Sequence, residues 1–144
     1  MKILLAVDGS CCSLTAADAV ASRPWPPGSI VRIVYVSESG GEPVDVNPAR
    51  TGPPFPPPPY AIGKALGRFE GHAIKVEGKI LHGRPKAAIL DEAREWGADL
   101  IVVGSHGVSG VERFLLGSVS LAVAAHSGCS VEIVRTMQPP RMKA

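Results

Sequence analysis

Runs of β-branched and aliphatic residues recur along the chain at residues 2–7, 30–36, 73–81, 100–103 and 131–134. Most are apolar nearly throughout, the pattern of strands covered on both faces in a parallel sheet. The third differs, because Lys75, Glu77 and Lys79 alternate with Ile74, Val76 and Ile80. That period of two predicts a strand with one wetter face, placed at a sheet edge. Helical patterns lie between the runs. Ser10 or Ser13 suits the cap of a helix carrying Leu14, Ala17 and Val20 towards Ser22. Residues 84–96 place Pro85 at the first helical position, put Ile89, Leu90, Ala93 and Trp96 on one face, and stop at Gly97. Asp91, Glu92 and Glu95 then form a solvated face. A last helix begins at Ser118 and ends before Gly128, with Leu121, Val123 and Ala124 available for burial. Strands alternating with helices imply right-handed crossovers and an α/β fold, an open doubly wound parallel sheet with helices on both faces.

Residues 37–59 break the rhythm. Gly and Pro dominate there, culminating in Pro53-Pro54-Phe55-Pro56-Pro57-Pro58-Pro59. Proline fixes φ and removes a backbone donor, which excludes a helix or an internal strand. The expectation is a long surface loop, partly polyproline II, serving as a solvated connector or as a ligand for SH3-like partners. It leads to a short helix at about 60–71, in which Gly63 and Gly67 each cost about 1 kcal/mol relative to alanine.

The 144 residues suit one domain spanning 1–144. A net charge of +2, with no block of like charges, argues against a nucleic-acid or membrane surface, although Arg135, Arg141 and Lys143 make the tail mildly basic. Residues 119–131 contain His126 and small polar residues and fall short of the roughly 20 apolar residues of a membrane span. Asp8 interrupts the apolar N-terminal run too early for a secretory signal, so that run reads as a strand. Cys11, Cys12 and Cys129 make an odd count and no disulfide framework, which points to a reducing, cytoplasmic setting. Cys11 and Cys12 either open a helix as small residues or carry redox chemistry. His72, His82, His106 and His126 are scattered without zinc-site spacing. Trp25 and Trp96 read as covers for core edges.

Chemistry concentrates in two loops. In an open α/β sheet ligands sit beyond the carboxyl ends of the strands. Asp8-Gly9-Ser10 follows the first strand and Gly104-Ser105-His106-Gly107-Val108-Ser109-Gly110 follows the fourth. Asp8 either caps the next helix or binds a sugar hydroxyl or metal. Glycine lets backbone N–H groups converge on a phosphate without obstruction, and Gly117-Ser118 opens the last helix, where the free N–H groups of Val119 and Ser120 favour an anion. His106 and Arg113 are candidates for additional charge. Neither a Walker A motif nor a GxGxxG fingerprint occurs, and no nucleophile–base–orienter set suggests strong catalysis.

The segments Ile3-Leu4-Leu5-Ala6-Val7-Asp8-Gly9-Ser10, Gly83-Arg84-Pro85, Ala98 through Gly107, and Leu115-Leu116-Gly117-Ser118-Val119-Ser120 closely resemble the universal stress protein family. The family's ATP-binding branch is marked by Gly-x2-Gly-x9-Gly-Ser/Thr, which Gly104, Gly107, Gly117 and Ser118 satisfy. The resemblance implies a Rossmann-like, five-stranded sheet of order 3-2-1-4-5. It implies adenine against the backbone of Ala6 and Val7, with Val36 at the base edge and Asp8 near the adenosine. Val103 and Gly104 line the adenosine; Ser105 and His106 belong to the same loop; Gly107, Gly117, Ser118, Val119 and Ser120 surround the phosphates. Mg2+ or Mn2+ accompanies the triphosphate, and a homodimer forms through Val131, Glu132, Ile133, Val134 and Arg135. The proline loop and Ser130, standing where a proline usually opens the last strand, depart from the family pattern. The function implied is an ATP-dependent regulatory switch in stress response. The alternatives are a slow Mg2+-dependent ATPase and a nucleotide-free interaction protein.

Overall fold

β1 (Lys2–Ala6) runs through the centre of the sheet, with Ile3, Leu4 and Leu5 fully buried. In chain order there follow α1 (Cys11–Ala21), β2 (Ile30–Ser37), β3 (Val44–Val46), α2 (Tyr60–Gly67), β4 (Lys75–His82), α3 (Pro85–Trp96), β5 (Leu100–Gly104), α4 (Ser118–His126) and β6 (Ser130–Val134). The computed structural model describes residues 1–38, 40–46, 59–106 and 116–135. Most of the proline run, together with Gly107, Arg113, Arg141 and Lys143, lies outside the described residues.

The sheet has the order β3-β4-β2-β1-β5-β6, and every pairing is parallel except β3 with β4. The five expected strands therefore stand in the expected order. The sixth, β3, is a correction to the count: residues 44–46 pair antiparallel with Ile80, Lys79 and Gly78. It falls between the prolines and takes the outermost position, where a short strand needs a partner on one side only. β4 is consequently not at the edge. Its period-two pattern arises because Glu77 and Lys79 face a polar patch under α3, whereas Ile80 enters the core on the other side.

Alternation along each central strand divides the core into two layers. Ile3, Leu5, Val31, Ile33 and Val102 pack with Ala16, Ala17 and Val20 of α1 and Ile62 and Ala65 of α2. Leu4, Val34, Ile101 and Val103 pack with Ile89 and Ala93 of α3 and Val123 of α4 on the opposite face. Successive side chains of a strand point to opposite faces, so one apolar run serves both layers.

The helix ends follow their capping residues. Ser10 caps α1, its hydroxyl accepting the Ser13 N–H at 3.2 Å. Gly97 ends α3 at φ 76°, a left-handed conformation in which its N–H donates to the Ala93 carbonyl at 3.0 Å. α2 stops at Gly67, short of the expected 71, and the chain turns through residues 68–71.

Two helix faces differ from expectation. Glu92 is buried, because Arg32 and Lys79 meet its carboxylate, each at 2.8 Å. Leu121 and Ala124 are exposed, and α4 instead buries Val123 and Ser120. With apolar or small residues all round this helix, periodicity could not select its inner face. Both tryptophans are half-buried at the core margins, Trp25 donating to the Val20 carbonyl at 2.8 Å and Trp96 lying under Arg32.

Candidate functional site

The chain passes from β1 outwards to β2 and β4, then returns to the other flank of β1 with β5. Strand order thus reverses at β1, and the helices that follow β1 and β5, α1 and α4, pack on opposite faces, so a crevice opens at the carboxyl ends of these strands. A cavity of ≈ 390 Å³ occupies that position.

Its body is aliphatic. Ala6, Val34, Val36 and Val103 rise from the sheet, Pro85 and Ile89 come from α3, and Val119 comes from α4. All but Pro85 belong to the second core layer or pack against it, so the cavity is a slot left between α3 and α4 over the sheet. Asp8, Ser13, Glu38, His106, Ser118 and Ser120 supply its polar lining. Such a slot accepts a flat, weakly polar ring and leaves polar substituents for its rim.

Each rim group has a definite local origin. Asp8 follows β1 at Val7, whose N–H is held by the Val34 carbonyl at 2.9 Å. The Asp8 Oδ1 accepts the Ser10 N–H at 2.9 Å, so its carboxylate helps shape the turn that Gly9 completes at φ 88°. The Ser10 hydroxyl reaches the His106 carbonyl at 3.4 Å, tying the α1 cap to the loop after β5.

At the β5 end the Ser105 carbonyl accepts from the Gly117 N–H at 2.6 Å and from the Ser120 hydroxyl at 3.1 Å. These bonds pin the start of α4 beside the slot. Gly117 is the N-cap of α4 and brings no side-chain capping bond, so the first-turn N–H groups of Ser118, Val119 and Ser120 have no intrahelical acceptor. They form a site for negative charge with the helix dipole behind it. The Gly117 N–H itself is engaged and is not one of the available donors. The Ser105 hydroxyl lies 3.1 Å from the His106 Nδ1, while the His106 Nε2 is buried without a hydrogen-bond partner among the described residues.

Most residues expected at the site therefore stand together around one cavity: Ala6, Val7, Asp8, Val36, Val103, Gly104, His106, Gly117, Ser118, Val119 and Ser120. Ser105 is buried beneath them as a support, 2% exposed, and does not line the cavity. Gly104 carries a second duty, because a Cβ there would lie 2.8 Å from the Cys12 carbonyl carbon. Ser13, Val34, Glu38, Pro85 and Ile89 line the cavity without having been singled out. The resemblance pointed to the strand ends and the glycine loop. Its segment Gly83-Arg84-Pro85 touched the wall that α3 supplies, but it assigned Pro85 and Ile89 no role at the site.

A larger cavity of ≈ 500 Å³ lies at the amino ends of β2 and β4, among Arg23, Trp25, Pro26 and His72. Its central polar groups are satisfied within the protein. Arg23 pairs with Glu132 at 2.7 Å, the Trp25 indole donates to Val20, and the Ser29 hydroxyl donates to the Pro26 carbonyl at 2.6 Å. The carboxyl-rim slot, with its uncapped helix, is the better candidate.

Comparison with known proteins bears on the same fold. The model of the universal stress protein family matches residues 1–135. Universal stress protein YxiE of Bacillus subtilis (strain 168) is 32% identical over 148 aligned positions, covering 93% of this chain and 98% of the relative. A solved universal stress protein in complex with cAMP superposes with a TM-score of 0.67 at 28% identity, covering 93% of this chain and 95% of the other. The hypothetical protein MJ0577 shares the fold with a TM-score of 0.71 at 22% identity, covering 96% and 97% of the two chains.

Proposed function

The chain belongs to the universal stress protein family, and from that premise we propose that it binds ATP in the carboxyl-rim slot and acts as a nucleotide-dependent regulatory module. The observation that carries the reading is the union, in one cavity, of an aliphatic slot with an uncapped helix N-terminus. A purine fits the first and phosphates fit the second. The structural relative solved with cAMP supports an adenine nucleotide as the ligand class.

In this reading Ala6, Val36 and Val103 face the base and Asp8 the sugar. Gly107, Gly117, Ser118, Val119 and Ser120 surround the phosphates. Carboxylate oxygens suit Mg2+ or Mn2+, and Asp8 stands at the cavity. No group of three His, Cys, Asp or Glu side chains among the described residues is arranged to hold a metal ion. A cation would therefore rely on the phosphates for its remaining ligands. Regulation follows if the nucleotide binds two states of the protein unequally, the glycine loop and a dimer surface at β6 being the coupled elements.

The direct test is calorimetric titration with ATP, alongside mass spectrometry of nucleotide released from gently purified protein. Gly117→Asp is the informative variant. Gly117 sits at φ −64°, open to any residue, and aspartate is a favoured N-cap. The substitution should keep or raise stability while placing negative charge where the phosphates bind. Binding should fall by at least about tenfold, roughly 1.4 kcal/mol. Unchanged affinity in this variant, or a wild-type protein that neither carries nor binds ATP, would overturn the proposal.

A further inference from the structure

The cavity of ≈ 500 Å³ at the amino ends of β2 and β4 takes no part in the nucleotide reading, and its lining has a chemistry of its own. Arg23, His72 and Lys75 border it, and among the described residues no Asp or Glu does. His72 and Lys75 are exposed, and their side chains make no hydrogen bond or ion pair among the described residues. Arg23 is partly committed: its Nε donates to the Ala19 carbonyl at 3.1 Å and its Nη2 to Glu132 at 2.7 Å, which leaves the Nη1 hydrogens open. A lining with donors and no carboxylate favours a negatively charged occupant.

The rest of the cavity is apolar and fixed in shape. Trp25 and Ile74, both half-buried against the first core layer, turn their remaining surface to it beside Pro24 and Pro26. The Trp25 ring is held by its own hydrogen bond to Val20 and by the Arg23 guanidinium, 5.0 Å from its centre. Residues 26–29 close a turn in which the Ser29 N–H donates to the Pro26 carbonyl at 3.2 Å. Pro27 and Gly28, at φ 83°, fill its central positions, the residues that a type II turn favours. A wall with so little freedom loses little entropy when a ligand settles on it.

We propose that this amino-rim cavity is a second binding site, one that takes a small aryl carboxylate. The ring lies against Trp25 and Ile74, and the carboxylate meets the basic groups at the margin. Arg23 is already balanced by Glu132, so Lys75 supplies the uncompensated charge and His72 a further donor. That set suits a monoanion. A bare inorganic anion leaves the apolar wall unused, and a neutral ring leaves Lys75 unpaired.

The test is nitrogen–proton correlation NMR of isotopically labelled protein, titrated with naphthoate, with its neutral analogue naphthalenemethanol and with acetate. Naphthoate should shift the Trp25 indole signal and the Gly28 and Ile74 amide signals to saturation. It should bind about tenfold more tightly than the alcohol, within the range of hydrogen bonds to charged groups. Acetate should not saturate at concentrations where naphthoate does. His72→Ala and Lys75→Ala change exposed side chains, so both should fold, and thermal unfolding checks this. Each should weaken naphthoate about threefold, the scale of an exposed charged contact, and leave the alcohol unchanged. Saturating ATP should leave the naphthoate affinity as it was. Equal affinity for acid and alcohol, affinity that ignores both basic positions, or no binding of either ring compound overturns the assignment. Displacement of naphthoate by ATP, with shifts at Ser118 and Val119 in place of Trp25, overturns it as well. Failure of the protein to bind ATP removes the nucleotide reading and leaves this site standing, so the two fail separately.

Discussion

Gly104 and Gly117 belong to one spacing motif, yet the structure gives them different physical duties. Gly117 caps α4 in an extended conformation that any residue can adopt. Gly104 is small because α1 passes directly over it, and an added Cβ would stand 2.8 to 2.9 Å from Cys12 backbone atoms. Backbone cannot swing aside as the end of a side chain can, so Gly104→Ala should destabilise the fold by about 1–3 kcal/mol. Urea denaturation measures this, and a loss below about 0.5 kcal/mol, the range of an ordinary surface change, contradicts it. The two variants should therefore separate: Gly117→Asp loses ligand and keeps stability, while Gly104→Ala loses stability first. Spacing alone treats both residues alike, because the approach of α1 to β5 is a contact between segments more than 90 residues apart.

Among the elements, α3 depends on charge as well as on burial. Glu92 on its inner face receives Arg32 from β2 and Lys79 from β4, and Arg32 also pairs with Glu77 at 2.8 Å. The Arg32 guanidinium lies 4.3 Å from the centre of the Trp96 ring, adding a stacked contact at the end of the same helix. Glu92 is 5% exposed, so Glu92→Ala would take its carboxylate from two partly buried cations and leave Arg32 with Glu77 alone, at a cost of up to about 3 kcal/mol. Equilibrium unfolding should show the loss as a lowered urea midpoint with an unchanged slope; stability equal to wild type would mean the cluster is only a surface network. α3 also supplies Pro85 and Ile89 to the slot, so loosening it should weaken ATP binding as well. Helical periodicity assigned Glu92 to the solvated face because the pattern of one helix carries no record of Arg32 and Lys79 on the strands beneath.

At the scale of the whole molecule, β6 has no partner on its outer edge among the described residues, and its side chains are half-buried or exposed, while β3 ends the other edge after three residues. Unpaired strand groups are a template for another chain. The proposed homodimer through Val131, Glu132, Ile133, Val134 and Arg135 should appear in sedimentation equilibrium, and Val131→Lys should raise its dissociation constant about tenfold, roughly 1.4 kcal/mol. A monomer at all concentrations would refute it. The sequence by itself determined the doubly wound class, the five parallel strands, the Pro85 start and Gly97 stop of α3, and the strand ends and glycines that face one rim. Those features follow from local rules of periodicity, capping and backbone freedom, which a few neighbouring residues can enforce. Only the tertiary structure decided that residues 44–46 shield β4, that Glu92 turns inward, that α4 buries Val123 and not Leu121, and that Glu38 and Ile89 line the slot. Each of these depends on which distant segment lies opposite. That is set when the two layers pack and close, and no single stretch of chain contains it.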